Sequence, residues 1–205
     1  MMSDANPTSE DSLIALHAQW TRLGTFLRVP ATDEPVDLER LLIASAQAAP
    51  DDARLPLIVG SWLAVYGATV DADRLQALIA EHDAVPPAGW PITSAILGAL
   101  LTWGADLKAS AQALRIAATA CRPLVSPQWL SRIMRIMEAY GVDRRAEARP
   151  RFLAWGLWHT EEAVKVSSII RPRSWIEARS PELSARFARL PAAQVAHEKE
   201  VERHD

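Results

Sequence analysis

The side chains best suited to acid–base chemistry or metal binding in this 205-residue sequence are five histidines. None of them has the i, i+4 spacing that places two metal ligands on one face of a helix, so we predict no metal site. His159 forms the best candidate acid–base pair with Glu162, three residues further on. Thr160, as the cap of a helix that starts with two glutamates, explains the same residues without chemistry. The sequence therefore predicts no catalytic residue.

The glycines and the cysteine exclude several kinds of cofactor and phosphate site. None of the eight glycines pairs with another as Gly-x-Gly, the spacing that lets a P-loop or Rossmann backbone approach a phosphate. The single cysteine, Cys121, permits no disulfide within the chain and no cysteine-based zinc site. We predict no cofactor, and we expect Cys121 to be a small buried hydrophobic residue.

Arginine and tryptophan are concentrated in residues 121–191. This segment carries 13 basic and 7 acidic side chains, a net charge of +6, and 12 of the basic side chains are arginines. Residues 1–120 carry 7 basic and 14 acidic side chains, a net charge of −7. Guanidinium groups bind carboxylates and phosphates bidentately, and tryptophan is enriched at binding hot spots. The predicted partner-binding residues are Arg144, Arg145, Arg149, Arg151, Trp155, Trp158, Arg171, Arg173, Trp175 and Arg179.

A structural interpretation of the same segment stays open. Phe152, Trp155 and Trp158 would form one stripe of a helix, which favours either a core or a partner groove. The arginines would then belong to a solvated helix face. The net charge of −3 for the whole chain gives no general attraction to nucleic acid or to an anionic membrane.

Helix signals recur along the chain and strand signals are scarce, so we predict an all-α fold of about ten helices. Asp37 and Asp71 each precede a helical apolar pattern and are expected to cap helices. Ser126 and Ser180 are each followed by proline, which is typical of the first turn of a helix. The first helix is expected over residues 12–28.

A spacing of 37 residues separates three aromatic–glycine pairs, which are Tyr66-Gly67, Trp103-Gly104 and Tyr140-Gly141. Glycine just after a helix adopts a left-handed conformation without a Cβ clash, so each pair is expected to end a helix. Alignment by these glycines places Val59, Ile96 and Ile133 in one column. Residues 51–161 are therefore predicted to form three helix pairs of 37 residues.

This pattern resembles the HEAT-like α-solenoids, whose two-helix repeats have this length. The resemblance covers about half of the chain and implies stacked antiparallel helix pairs, with an ordinary helical bundle as the alternative. No family-specific functional motif accompanies it. We predict a leader and the first helix in residues 1–36, and a single helical domain ending in a basic block in residues 37–191. Residues 192–205 are expected to be a charged, disordered tail.

The compartment is predicted from the signals that the sequence lacks. The first eleven residues are polar and acidic, so no secretory signal is predicted. The longest uncharged stretch, residues 84–105, contains prolines in its first third, and the rest is too short to span a membrane. We expect a cytoplasmic protein of a bacterium-like cell, with no membrane partner.

These features predict a non-enzymatic helical protein-interaction module, such as an adaptor, an antitoxin or an immunity protein. A stacked-helix scaffold presents extended surfaces to partners, and the Trp/Arg surface supplies the binding residues. The alternative is a nucleic-acid-binding helical-repeat protein, similar to the HEAT-like DNA glycosylases. The acidic first half argues against that alternative, because binding duplex DNA requires several neutralising cations. The sequence does not fix the oligomeric state.

Overall fold

The computed structural model describes residues 7–25, 27–107, 112–159 and 170–190. Within these ranges the chain is mostly helical, which confirms the predicted all-α class and the number of about ten helices. The first six helices are α1 (Pro7–Arg22), α2 (Leu38–Ala48), α3 (Arg54–Tyr66), α4 (Ala72–Ala84), α5 (Trp90–Leu107) and α6 (Gln112–Ala118). The later elements are β1 (Gln128–Trp129), α7 (Arg132–Ala139), α8 (Pro150–Leu153), β2 (Leu157–Trp158), α9 (Arg173–Glu177) and α10 (Pro181–Phe187).

Local hydrogen bonds explain where several of these helices begin. The side chain of Asp37 accepts a hydrogen bond from the backbone of Arg40 at 3.3 Å, and that of Asp71 accepts one from Arg74 at 3.0 Å. Ser180 caps α10 in the same way. Each cap satisfies a backbone N–H that has no partner within its own helix, as predicted for these three residues.

The prediction that a helix starts at Ser126 is wrong. The backbone N–H groups of Gln128 and Leu130 instead donate to Gly156 and Trp158, both at 3.1 Å, in a two-stranded parallel pair of β1 and β2. Because this pairing holds the backbone extended, the next helix begins only at Arg132.

The first helix also lies earlier than expected, since it spans Pro7–Arg22 instead of residues 12–28. Gly24 follows it with a φ of +92°, a conformation that other residues rarely adopt. A Cβ at Gly24 would lie 2.8 Å from Ile176 of α9, so the chain also needs glycine there for close packing. The buried indole of Trp20 donates to Ser45 of α2 at 2.9 Å, which makes α1 part of the main core.

Helix α5 lies at the centre of the core. It is apolar along most of its length and packs against α2, α3, α4, α6 and α8. Ile96, Leu97, Leu100 and Leu101 are fully buried, and each such side chain contributes about 1.5–3 kcal/mol of transfer free energy. None of the described helices combines the length and the apolar character that a membrane span requires.

The three glycines at 37-residue spacing are not structurally equivalent, which corrects their predicted common role. Gly67 and Gly141 follow the ends of α3 and α7, as predicted, but Gly141 is left-handed with a φ of +85° whereas Gly67 has a φ of −59°. Gly104 instead lies inside α5. A Cβ at Gly67 would lie 2.5 Å from Leu114, and one at Gly104 would lie 2.6 Å from Leu63. Packing between helices thus requires the small residue at these two positions, and the glycines no longer support a repeat. The proposed domain boundaries stay a prediction, and the tail lies outside the described residues.

Candidate functional site

Helix α7 exposes an apolar face. Ile133 and Ile136 are 65% and 52% exposed and, at i and i+3, lie on one side of α7. Tyr140, the residue that caps the end of α7, follows at i+7 and is 84% exposed. We call these three residues the α7 face. Met134 and Met137 are half-buried, and no residue of α7 is fully buried. The apolar side of this amphipathic helix is therefore turned away from the core.

The start of α7 is tied to the rest of the fold, and its end is closed by a local cap. At its start the backbone N–H of Arg132 donates to Pro50 at 2.8 Å, and the guanidinium of Arg132 pairs with Asp51 at 3.2 Å. At its end the N–H groups of Gly141 and Val142 donate to Glu138 and Met137 at 2.9 and 3.0 Å. This is the Schellman arrangement, which requires the left-handed Gly141. The α7 face is thus presented by an anchored helix.

Arg145 and Trp158 adjoin α7 and belong to the predicted partner-binding set. The guanidinium carbon of Arg145 lies 5.2 Å from the centre of the Trp158 ring, within cation–π range. Its Nε atom lies 3.3 Å from Glu138 of α7 and 2.9 Å from Asp143. The hydrogen bond from the Arg145 side chain lowers the pKa of the Asp143 carboxyl below its usual value. The half-buried Trp158 ring packs against the buried ring of Trp129, with 5.7 Å between the two ring centres.

The prediction that Phe152, Trp155 and Trp158 form one stripe of a helix is wrong. Helix α8 ends at Leu153, and Gly156 has a φ of +71°, so the chain turns there into β2, which carries Trp158. Phe152 is buried, and the ring of Trp155 packs so closely on α5 that a Cβ at Gly98 would overlap it. Phe152 therefore lies in the core, and the half-buried Trp155 packs against it.

The remaining arginines of the first group are distributed around these elements. Arg144 and Arg149 are half-buried, and the backbone N–H of Arg149 donates to the carbonyl of His159 at 2.9 Å. Arg151 is exposed and stacks over the ring of Trp103 at 5.7 Å. Arg145, the fourth arginine of this group, is linked to α7 by its ion pair with Glu138.

The second predicted group surrounds Trp175 on α9. The guanidinium carbons of Arg179 and Arg171 lie 4.2 and 5.5 Å from the Trp175 ring centre. Arg173 pairs with Glu177 at 2.7 Å and stacks over Phe187. The backbone of Arg171 is tied to the fold, because its carbonyl accepts a hydrogen bond from the Tyr66 hydroxyl at 2.9 Å. These contacts anchor α9 to the core.

Ion pairs join the acidic first half of the chain to the basic segment. Arg186 pairs with the fully buried Glu39 at 2.9 Å, and this hydrogen bond raises the pKa of the Arg186 guanidinium. Two exposed arginines also form ion pairs with carboxylates of the first half: Arg132 pairs with Asp51, and Arg122 pairs with Asp83 at 3.4 Å. Part of the positive charge that the sequence places in residues 121–191 is therefore neutralised within the fold.

The histidine considered for catalysis is buried. His159 packs its ring 4.5 Å from that of Phe152, and burial lowers the pKa of its imidazole to about 4. The imidazole is therefore neutral near pH 7. Its predicted partner, Glu162, lies outside the described residues. The described part of the chain contains no cluster of three or more histidine, cysteine or acidic residues that could hold a metal ion.

Sequence reasoning missed a buried histidine–carboxylate pair. Nε2 of His17 lies 2.8 Å from Asp52, both side chains are 6% exposed, and Arg54 also bonds Asp52 at 2.9 Å. Burial acts to raise the pKa of the Asp52 carboxyl, but the hydrogen bonds and the positive charge of Arg54 lower it below its usual value. The two partners are 35 residues apart, so no local spacing signals the pair.

A cleft of about 760 Å³ lies near this pair, between α1 and α2. Leu13, Leu16, Ala44 and Ala48 line it together with polar residues that include Arg132 at the start of α7. His17 and Asp52 are not among the lining residues, so the pair ties α1 to the segment before α3 and does not face the cleft.

No protein-family model, curated protein or solved structure matches the chain. The described residues define the class of the protein from its fold and surface: it is an all-α protein in which the amphipathic helix α7 exposes its apolar side.

Proposed function

We propose that this protein is a non-enzymatic protein-interaction module and that a protein partner docks on the α7 face. The observation that carries the proposal is the exposure of Ile133, Ile136 and Tyr140 along a helix whose start is tied to Pro50 and Asp51 and whose end is capped. Exposed apolar side chains that lie together mark interaction sites more often than scattered ones do. An adaptor, an antitoxin and an immunity protein all belong to this class.

The composition of the surface supports the same proposal. Tyrosine, tryptophan and arginine are the residue types that dominate binding hot spots, and Tyr140, Trp158 and Arg145 all lie on or beside α7. We therefore narrow the proposed Trp/Arg surface to Arg145 and Trp158, combine these two with the α7 face, and leave out Trp155 because its ring packs against the core.

The ion pairs between the two halves of the chain weigh against nucleic-acid binding. Affinity for nucleic acid comes mainly from cations that replace the counterions of phosphates. Arg186, Arg132 and Arg122 are each already paired with a carboxylate of the first half. Apolar burial does not depend on unpaired cations, so protein binding is the better-supported class.

Affinity purification from the native host tests the proposal with two matched variants. Ile136→Asp places a charge on the α7 face, and Ile14→Asp changes an equally exposed isoleucine of α1, since the two are 52% and 50% exposed. We expect wild type and Ile14→Asp to recover the same stoichiometric protein after nuclease treatment, and Ile136→Asp to lose it.

Three results would contradict the proposal, two from the purification and one from a nucleic-acid binding assay. The first is recovery of the same partner by Ile136→Asp, and the second is recovery of no stoichiometric partner by the wild type. The third is binding to nucleic acid whose log affinity falls with log salt by about 0.9 per phosphate contact. The predicted cytoplasmic location is kept as part of the proposal, and fractionation of the same cells tests it.

A further inference from the structure

We infer that the partner element that occupies the α7 face is an acidic amphipathic α-helix. This inference rests on the proposed function and adds to it the chemistry of the partner. Three observations carry it: the shape of the exposed face, its area and the charge around it.

The shape of the face fits a helix. Its two isoleucines lie on one side of α7 and Tyr140 caps the end of that helix, so the face extends over about two turns, a length of roughly 10 Å at about 1.5 Å per residue. A row of side chains at i, i+3 and i+7 forms a ridge that packs into the groove between the ridges of another helix. A partner helix with apolar residues at the same spacing therefore matches the face.

The area of the face fits one helix better than a large domain surface. From their exposed fractions, the three side chains present on the order of 400 Å² of surface, about half of what each partner buries in a standard interface. An interface of this size obtains its affinity from a few anchors, here the two isoleucines and Tyr140. We expect a dissociation constant in the micromolar range for an isolated helix.

The charge around the face fits an acidic partner. Residues 128–153 contain six arginines against three acidic residues, a net charge of +3. Arg132 pairs with Asp51, which lies outside this segment, whereas Arg135 is exposed and makes no ion pair within the described ranges, so Arg135 is the arginine of α7 that is available to an acidic partner. Complementary charges steer association and reject wrong partners. A second copy of this chain would instead bring the arginines of its own α7 to the rim of the interface, where like charges repel.

A selection experiment tests the inference even while the partner is unidentified. A library of helix-constrained 14-residue peptides, randomised at all surface positions, is selected on the full chain and counter-selected on Ile136→Asp. We expect enriched peptides with apolar residues at i, i+3 or i+4, and i+7, and with a net negative charge. Their affinity should fall at least tenfold with Ile136→Asp or with Ile133→Asp and stay unchanged with Ile14→Asp.

A charge reversal separates the acidic character from apolar binding alone. Arg135→Glu should weaken the binding of the acidic peptides and strengthen the binding of versions in which lysine replaces their acidic residues. All four variants alter exposed side chains, so unchanged circular dichroism and melting temperature serve as the folding control.

Several outcomes would overturn the inference. They are enriched peptides without helical spacing, enriched peptides with a net positive charge, an absence of peptides that depend on Ile136, and an Ile136-dependent dimer of the chain in light scattering. Ile136-dependent binding to vesicles of phosphatidylserine and phosphatidylcholine would also overturn it. If the purified native partner depends on Ile136 while the selection yields no such peptides, the inference fails and the proposed function stands. If neither depends on Ile136, both fail.

Discussion

Replacement of Arg186 by methionine tests whether an arginine of the basic segment serves the fold. The Glu39 carboxylate is fully buried and accepts hydrogen bonds from Arg186 and from the backbone N–H of Asp71, each at 2.9 Å. Arg186→Met keeps most of the apolar volume of the side chain and removes the positive charge. The Glu39 carboxylate then stays in the interior without its main counter-charge.

The expected loss of stability follows from the geometry of this pair. Removal of one partner from a buried ion pair costs about 3–5 kcal/mol, because it leaves an uncompensated charge. The Arg186 side chain is 26% exposed and Arg74 lies 3.6 Å from Glu39, so the lower end, about 3 kcal/mol, applies. With a urea dependence of about 3 kcal/mol per molar, the unfolding midpoint should fall by roughly 1 M.

Equilibrium unfolding in urea, followed by tryptophan fluorescence, measures this loss. Arg189→Met is the matched control, because Arg189 is exposed and makes no ion pair within the described part of the chain, and it should change stability by less than about 0.5 kcal/mol. Glu39→Gln added to Arg186→Met should recover more than half of the loss, because glutamine is neutral and still accepts from Asp71. The reasoning is refuted if Arg186→Met resembles the control or if the double variant is less stable than the single one.

Four further predictions concern buried groups and glycines. Burial lowers the pKa of the His159 imidazole from 6.5 to about 4. The stability that the neutral imidazole contributes above pH 6.5 should therefore be lost as the pH falls toward 4, by up to about 3 kcal/mol. The urea midpoints at about pH 7.5 and about pH 4.5 should differ less in His159→Gln than in the wild type. Gly98→Ala should cost about 1–3 kcal/mol and alter near-ultraviolet circular dichroism because its Cβ would overlap the Trp155 ring. Gly141→Ala meets open space and should cost about 1–2 kcal/mol in thermal melts, from its left-handed backbone, without that spectral change. Burial raises the pKa of the Cys121 thiol to about 12, so iodoacetamide should label it only after urea unfolds the chain, and rapid labelling of the native protein would contradict its burial.

Local chemistry in the sequence predicted local structure well. The caps at Asp37 and Asp71 were recognisable because a cap depends only on a side chain and a backbone N–H three residues later. The helix expected at Ser126 failed because strand pairing with residues about 29 positions away competes for the same backbone, and spacing within one segment carries no signal of that.

The candidate site was only partly predictable. Val59, Ile96 and Ile133 align in one column of the 37-residue pattern, yet the first two are fully buried and Ile133 is 65% exposed. An apolar stripe has the same periodicity whether the fold or a partner covers it, so sequence could not separate the α7 face from the core. Arg145 and Trp158 were predicted from residue type, but their link to α7 depends on Glu138 and on the turn at Gly156.

The pair of Glu39 and Arg186 also bears on how the chain reaches this fold during its synthesis. The two residues are 147 positions apart, so at about 5–20 residues per second Glu39 leaves the ribosome roughly 7–30 s before Arg186 does. Throughout that interval the carboxylate on α2 has no guanidinium from α10, and burial of the carboxylate would be unfavourable. The nascent chain therefore completes this part of its core only after α10 emerges, and a ribosome stalled before Arg186 should display a chain that proteases cleave readily near α2.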